Sequence, residues 1–164
     1  MKYFLSFLLV LAVFNGCKKD EVYPIEPVIS FKSVALLGGS NSKDSMAVIT
    51  VNFTDGDGDI GLNPDDTLAP FNPGSPYYRN YQMEFYEKIN GVWTLNPISP
   101  TLGGRLPYLT PKGSNKALKG EIKMDSNLPI HKTLDTCYVN IFIYDRALHK
   151  SNVVKTSEFI ITTN

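Results

Sequence analysis

The densest concentration of chemistry-bearing side chains is the run Asp55-Gly56-Asp57-Gly58-Asp59-Ile60-Gly61. Alternating aspartates suit a hard cation, because Ca²⁺ takes six to eight oxygens and glycine lets the backbone wrap the ion. The EF-hand register does not fit. Counting from Asp55 puts aspartates at positions 1, 3, 5 and 12 (Asp66), but Ile60 falls where the glycine is required. Gly56 to Gly61 also reads formally as G-x-G-x-x-G. Pyrophosphate, however, needs backbone N–H groups at a helix N-terminus, and this loop offers carboxylates with no helical period after it. The competing structural reading is that these aspartates form Asx turns in a solvated loop. Both the calcium reading and the turn reading stay open at this level.

The elements that must position this loop read as strands. Val28 to Leu36 is a first strand whose alternation slips near Ser33, as at a bulge. Ala47, Ile49, Val51 and Phe53 alternate with Met46, Val48, Thr50 and Asn52, the pattern of a half-buried strand that runs into the Asp loop. Tyr81–Ile89 and Val92–Leu95 flank Asn90-Gly91, a strong hairpin signal. A short strand is expected over Arg105–Leu109. Lys116–Met124 reads as an edge strand with lysines outward. Cys137–Tyr144 is apolar on both faces, as a central strand should be, and Val153–Ile161 closes the domain. No segment sustains a helical period, and residues 62–80 are a long Pro-, Asn- and Gly-rich loop.

Seven or so short strands separated by turns predict an all-β fold, an immunoglobulin-like β-sandwich with long inserted loops over residues 28–164. A small up-and-down β-barrel is the alternative. There is no Cys pair to link the second and sixth strands, and Trp93 follows the hairpin turn instead of sitting in the core strand before it, so an antibody-type domain is excluded. In such a sandwich the loops after the second and sixth strands share one end. That places Asp55, Asp57 and Asp59 beside Asp145, with Glu26 at the same end. Four carboxylates at one end raise one another's pKa values unless a cation or Arg146 balances them. The expected metal site is therefore Asp55, Asp57, Asp59 and Asp145, with Ca²⁺ as the ion.

Other residues exclude more than they suggest. Sixteen Lys and Arg against sixteen Asp and Glu leave no basic footprint for nucleic acid. Two His and two Cys cannot build a zinc or iron–sulfur site of usual ligand count. His131 and His149 read as isolated surface residues, and Cys137 as a small buried core residue with no local His to activate it. Phe71, Tyr77, Tyr78 and Tyr81 either present aromatics to a sugar or protein partner, or fold back over the core edge. The chain has no Gly-x-Ser-x-Gly, His-Glu-x-x-His or Gly-Lys-Ser/Thr motif, and no general acid can be named beside the Asp loop. Catalysis is not expected.

The first sixteen residues read as an export signal. Lys2 precedes the apolar run Tyr3 to Phe14, too short to span a bilayer but proportioned like a signal-peptide core, and Gly16 stands directly before Cys17. Here the chain resembles a bacterial lipoprotein precursor, with Cys17 the lipidated first residue of the mature protein. Phe14 and Asn15 depart from the usual residues before that junction. Lys18-Lys19-Asp20-Glu21 looks like the export signal that follows the lipidated Cys in surface lipoproteins of the Bacteroidetes. The stretch Phe53 to Gly61, with Tyr144-Asp145-Arg146, is similar to small Bacteroidetes lipoproteins carrying a DGDGDIG loop, and to aspartate turns of other calcium-binding extracellular sandwiches.

The resemblance covers the export signal, the Asp loop and the final two strands. It implies an extracellular sandwich stabilised by a cation and supplies no activity. The expected organisation is a signal peptide over 1–16, a lipidated Cys17 with a tether to residue 27, and one β-sandwich domain from residue 28. The acyl chains, at about 0.8 kcal/mol per buried CH₂, anchor the chain in the membrane without a span. The expectation is an outer-membrane lipoprotein exposed at the cell surface, a non-catalytic binding or accessory module whose partner is a glycan or an envelope protein. The alternative is a glycan-processing or other hydrolytic enzyme using the Asp-rich loop.

Overall fold

The computed structural model describes residues 21–38, 44–96, 102–110, 116–127 and 136–161. The signal peptide, Cys17, the start of the tether and His131 lie outside the described residues. Among them the chain forms eight strands: β1 (Val28–Gly38), β2 (Asp44–Asp55), β3 (Tyr81–Ile89), β4 (Val92–Leu95), β5 (Gly103–Gly104), β6 (Leu118–Asn127), β7 (Cys137–Ile143) and β8 (Val154–Lys155). They make two antiparallel sheets, ordered β1-β2-β6 and β4-β3-β7-β8, with β5 paired to β3 beyond the end of β4. The sheets are not closed into a barrel. The protein is a two-layer β-sandwich, and each strand lies in the sheet expected from its place in the immunoglobulin-like order.

Alternation in the sequence explains the packing. Ala47, Ile49, Val51 and Phe53 of β2 face the core with Ile29 and Ile122, against Tyr81, Met83 and Phe85 of β3 and Val139 and Ile141 of β7. The β1–β2 register slips between Phe31 and Ser33, so the broken alternation near Ser33 is a bulge. Asn90 and Gly91 both take positive φ, 51° and 82°, the conformation a two-residue hairpin needs to follow strand twist. Among the described residues β6 pairs with β2 alone, so its outward lysines sit on a sheet edge.

Two expectations fail. Val153–Ile161 is not a continuous strand: β8 has two residues, and Phe159 makes an isolated bridge to Cys137. Side-chain hydroxyls interrupt the ladder, with Thr156 Oγ1 accepting the Val139 N–H at 3.0 Å and Ser151 Oγ accepting the Ile143 N–H at 3.0 Å. Arg105–Leu109 is not a strand either. Pro107 has no N–H to give and makes only an isolated bridge to Leu62, the Leu106 N–H goes to Asn80 Oδ1 at 2.7 Å, and the strand residues are Gly103 and Gly104 just before it.

The outer face of the second sheet is aromatic. Tyr86 and Tyr138, directly opposite in the register, stack with ring centroids 4.8 Å apart, and Trp93 meets Tyr138 edge-on at 4.7 Å. Lys155 lies over the Tyr138 ring at 4.0 Å. Such cross-strand pairs stabilise a sheet by about 0.2–1 kcal/mol each.

Candidate metal centre

Asp55 is the last residue of β2, and from it the loop folds back on itself. Its Oδ2 accepts the Ile60 N–H at 3.1 Å, a side-chain-to-backbone bond across five residues that closes the loop. Ile60 is fully buried and forms a bridge with Asp145, the second residue after the end of β7. The next turn is held by Asp59, whose Oδ2 accepts the Ala147 N–H at 3.0 Å while its main-chain oxygen accepts the Arg146 N–H at 3.3 Å. The loops after β2 and β7 are therefore bound to each other at one end of the sandwich.

Within this frame Asp55, Asp57 and Asp59 each direct a carboxylate oxygen to within 4.8 Å of the others. Two oxygens on one Ca²⁺ at 2.3–2.6 Å stand at most about 5 Å apart, so the three fit around one ion. Asp55 has no exposed surface, Asp59 is half-buried and Asp57 is exposed. Asp55 Oδ1 and Asp59 Oδ1 are buried with no hydrogen-bond partner. Buried acceptors are ordinarily satisfied, and an orphaned charged one is costly. Burial first, and then the neighbouring Asp57 carboxyl, pushes Asp55 up to about 7. Burial and the charges of Asp145 and Asp57 also raise Asp59. A cluster with this electrostatics takes up either protons or a cation.

Asp145 sits beside this cluster in a different state. Its carboxylate is buried, and both oxygens are engaged by one residue: Oδ1 accepts the His149 N–H at 2.7 Å, and Oδ2 pairs with His149 Nδ1 at 2.8 Å. Burial raises Asp145 while the His149 bonds oppose that rise, and Asp145 in turn raises His149. His149, read from sequence as an isolated surface residue, is thus the partner of a buried acid. Its four-residue spacing from Asp145 is the only signal the sequence held. Glu26 is exposed and close enough to help raise His149, but it is not among the three clustered aspartates.

Arg146 aims its guanidinium mainly at Asp66 and feels the Asp59 charge only as a lesser effect. The side chain pairs with Asp66 and lies over the rings of Phe71 (6.0 Å) and Tyr108 (5.4 Å). That contact holds Asp66 below its ordinary range. Arg105, which sequence reasoning passed over, donates to four main-chain oxygens, those of Asn63, Asp66, Phe71 and Tyr78. Together the two arginines fold the 62–80 loop onto the site end. Its aromatics go with it: Tyr81 is in the core, and Tyr77 packs edge-on to Tyr144 at 5.0 Å. Phe71, Tyr77 and Tyr78 stay half-buried, with Phe71 under Arg146 and Tyr78 under Arg105.

Comparison with known proteins adds no family, since no family model, curated protein or solved structure matches the chain.

Proposed function

We propose that this chain is a lipid-anchored, cell-surface β-sandwich acting as a non-catalytic binding or accessory module, with Ca²⁺ held at the end where the loops after β2 and β7 meet. The observation that carries the cation reading is the pair of buried, unpartnered oxygens on Asp55 and Asp59 within a three-aspartate cluster. Asp55, Asp57 and Asp59 are the ligands, main-chain oxygens and water complete the shell, and Asp145 adds negative charge from the adjoining turn. The anchor is Cys17, and the partner is a glycan or an envelope protein.

Hydrolysis using the Asp loop is the competing reading, favoured by a carboxyl near pKa 7 and an Asp–His pair. One observation weighs against it: the Asp55 carboxyl, the group near pKa 7, is sealed from solvent and is not placed to meet a substrate.

Thermal unfolding of a soluble chain beginning at residue 18 tests the cation reading. Saturating Ca²⁺ should raise the Tm and EDTA should reverse it, with about 2.7 kcal/mol of stabilisation at a hundredfold excess over Kd. An unchanged Tm with Ca²⁺, Mg²⁺ and Mn²⁺ would remove the metal and return the loop to turn chemistry. Release of reducing sugar from a glycan panel, lost in Asp57→Asn, would favour the enzyme.

A further inference from the structure

The Asp loop touches a segment that the sequence presented as a plain linker. Gly56, between two of the clustered aspartates, donates its N–H to the Pro24 oxygen at 2.8 Å. A Cβ at position 56 would stand 2.3 Å from the Tyr23 oxygen and 2.7 Å from the Pro24 oxygen, so the tether backbone occupies the space a side chain would need. The Tyr23 hydroxyl is buried and Pro27 is buried. Farther on, the Asn152 side chain binds both the N–H and the oxygen of Ile29, at 2.8 and 2.9 Å. Upstream of Tyr23 the support thins to an exposed ion pair, Lys119 to Glu21 at 3.2 Å, of the kind that water and salt weaken.

We infer that the cation site fastens the N-terminal tether to the sandwich, docking residues 21–27 when filled and releasing them when emptied. This rests on the cation reading above, and the physical link is short. The Gly56 amide is fixed by the positions of Asp55 and Asp57. With an ion between them, those carboxylates converge and the amide stays aimed at Pro24. Without it, carboxylates within 4.8 Å of one another repel, the loop relaxes, and the amide moves with it. Because coupling between two binding events is reciprocal, a docked tether also tightens the ion, and a displaced tether loosens it by the same factor.

The test uses the soluble chain beginning at residue 18, digested with a glutamate-specific protease that cuts after Glu21. Cleavage of a docked segment follows the population of its released form, so Ca²⁺ should slow it by about tenfold relative to EDTA. Gly56→Ala, which removes no carboxylate, should cleave at the fast rate with or without Ca²⁺, and should bind Ca²⁺ more weakly by calorimetry. Asp57→Asn keeps Gly56 and should lose the protection, which covers the case in which Gly56→Ala fails to fold. A Ca²⁺-dependent Tm with an unchanged cleavage rate would overturn the tether inference and leave the cation site standing. Loss of both responses would overturn the cation reading and this inference with it.

Discussion

The Asp59 carboxylate accepts the backbone N–H of Ala147 at 3.0 Å, joining residues 88 apart in the chain. Its other oxygen is buried among the clustered aspartates and has no partner. Asp55 is divided in the same way, with Oδ2 closing the loop on Ile60 and Oδ1 unpartnered. One oxygen of each residue holds the loop in place and the other is unpartnered. Loop closure and cation binding, alternatives in the sequence, do not compete here because a carboxylate has two oxygens.

That division can be separated by substitution. Asp59→Asn keeps an acceptor for Ala147 but loses the charge, so the fold should persist while the Ca²⁺-induced rise in Tm shrinks. Asp59→Ala loses both and should lower the metal-free stability by about 1–3 kcal/mol as well. Equal metal-free Tm values for the two variants would mean the Ala147 contact contributes nothing.

The chelated protein should lose stability as pH rises. Asp55 has an ordinary value of 3.8 and is pushed up to about 7 in the fold. Between those values the folded state holds a proton that the unfolded state has released, so unfolding becomes easier toward neutrality, by up to about 1.4 kcal/mol per pH unit. Asp59 and Asp145, also raised, act in the same direction. Urea midpoints in EDTA at pH 5 and pH 7.5 measure this. Asp55→Asn or saturating Ca²⁺ should flatten the difference, and a midpoint that rises with pH would contradict it.

Arg105→Ala should cost about 2–4 kcal/mol, because four main-chain oxygens of the 62–80 loop lose a charged donor at once. Arg105→Lys should recover little, since an ammonium cannot reproduce the guanidinium fork. Limited proteolysis would show new cuts between residues 63 and 79 in both variants; cuts elsewhere would place the role of Arg105 outside this loop.

Two glycines with similar backbone angles distinguish strain from close approach. Gly58 has φ +66°, and a Cβ there would lie 1.8 Å from the Lys116 oxygen; Gly74 has φ +88° with nothing within 4 Å. Alanine at either position carries about 1–2 kcal/mol of left-handed strain. Gly58→Ala should cost clearly more than Gly74→Ala in thermal unfolding, because it also drives the Asp loop away from residue 116. Matching losses would mean that the backbone there yields freely.

For the anchor, Cys17→Ala should abolish incorporation of a labelled fatty acid in a lipoprotein-processing bacterial host. Replacing Lys19, Asp20 and Glu21 by alanine should retain the label but reduce digestion by external protease. Equal label in wild type and Cys17→Ala would end the lipoprotein reading.

Where periodicity and turn chemistry are local, the sequence was legible. Asn90-Gly91 placed a hairpin with the right ends, and the alternation from Ala47 to Phe53 named the core face of β2. The last strand was misread because Thr156 looks like a strand residue while its hydroxyl takes over a backbone partner. At the site, the Asp/Gly spacing pointed to the loop and sandwich topology pointed to Asp145. Nothing in a linear reading showed that Arg146 turns to Asp66 or that Pro24 rests on Gly56. Those pairings follow from close approach in three dimensions, and each is made by one side chain or one carbonyl with no repeat or spacing to announce it.

Trp93 is the single tryptophan of the chain, and its surroundings give the protein a built-in optical label. The indole sits against Tyr138 near the start of β7, whereas Asp145 follows the other end of that strand, about 23 Å away at the rise of an extended chain. Its emission therefore reports the integrity of the second sheet and is remote from the aspartates. Tyrosines lie at both poles, Tyr77 and Tyr144 toward the loop end and Tyr86 and Tyr138 beside the indole, so the tryptophan signal alone belongs to one pole. Light absorbed at the red edge, where only indole responds, follows the far end of the second sheet without contribution from the aspartate end.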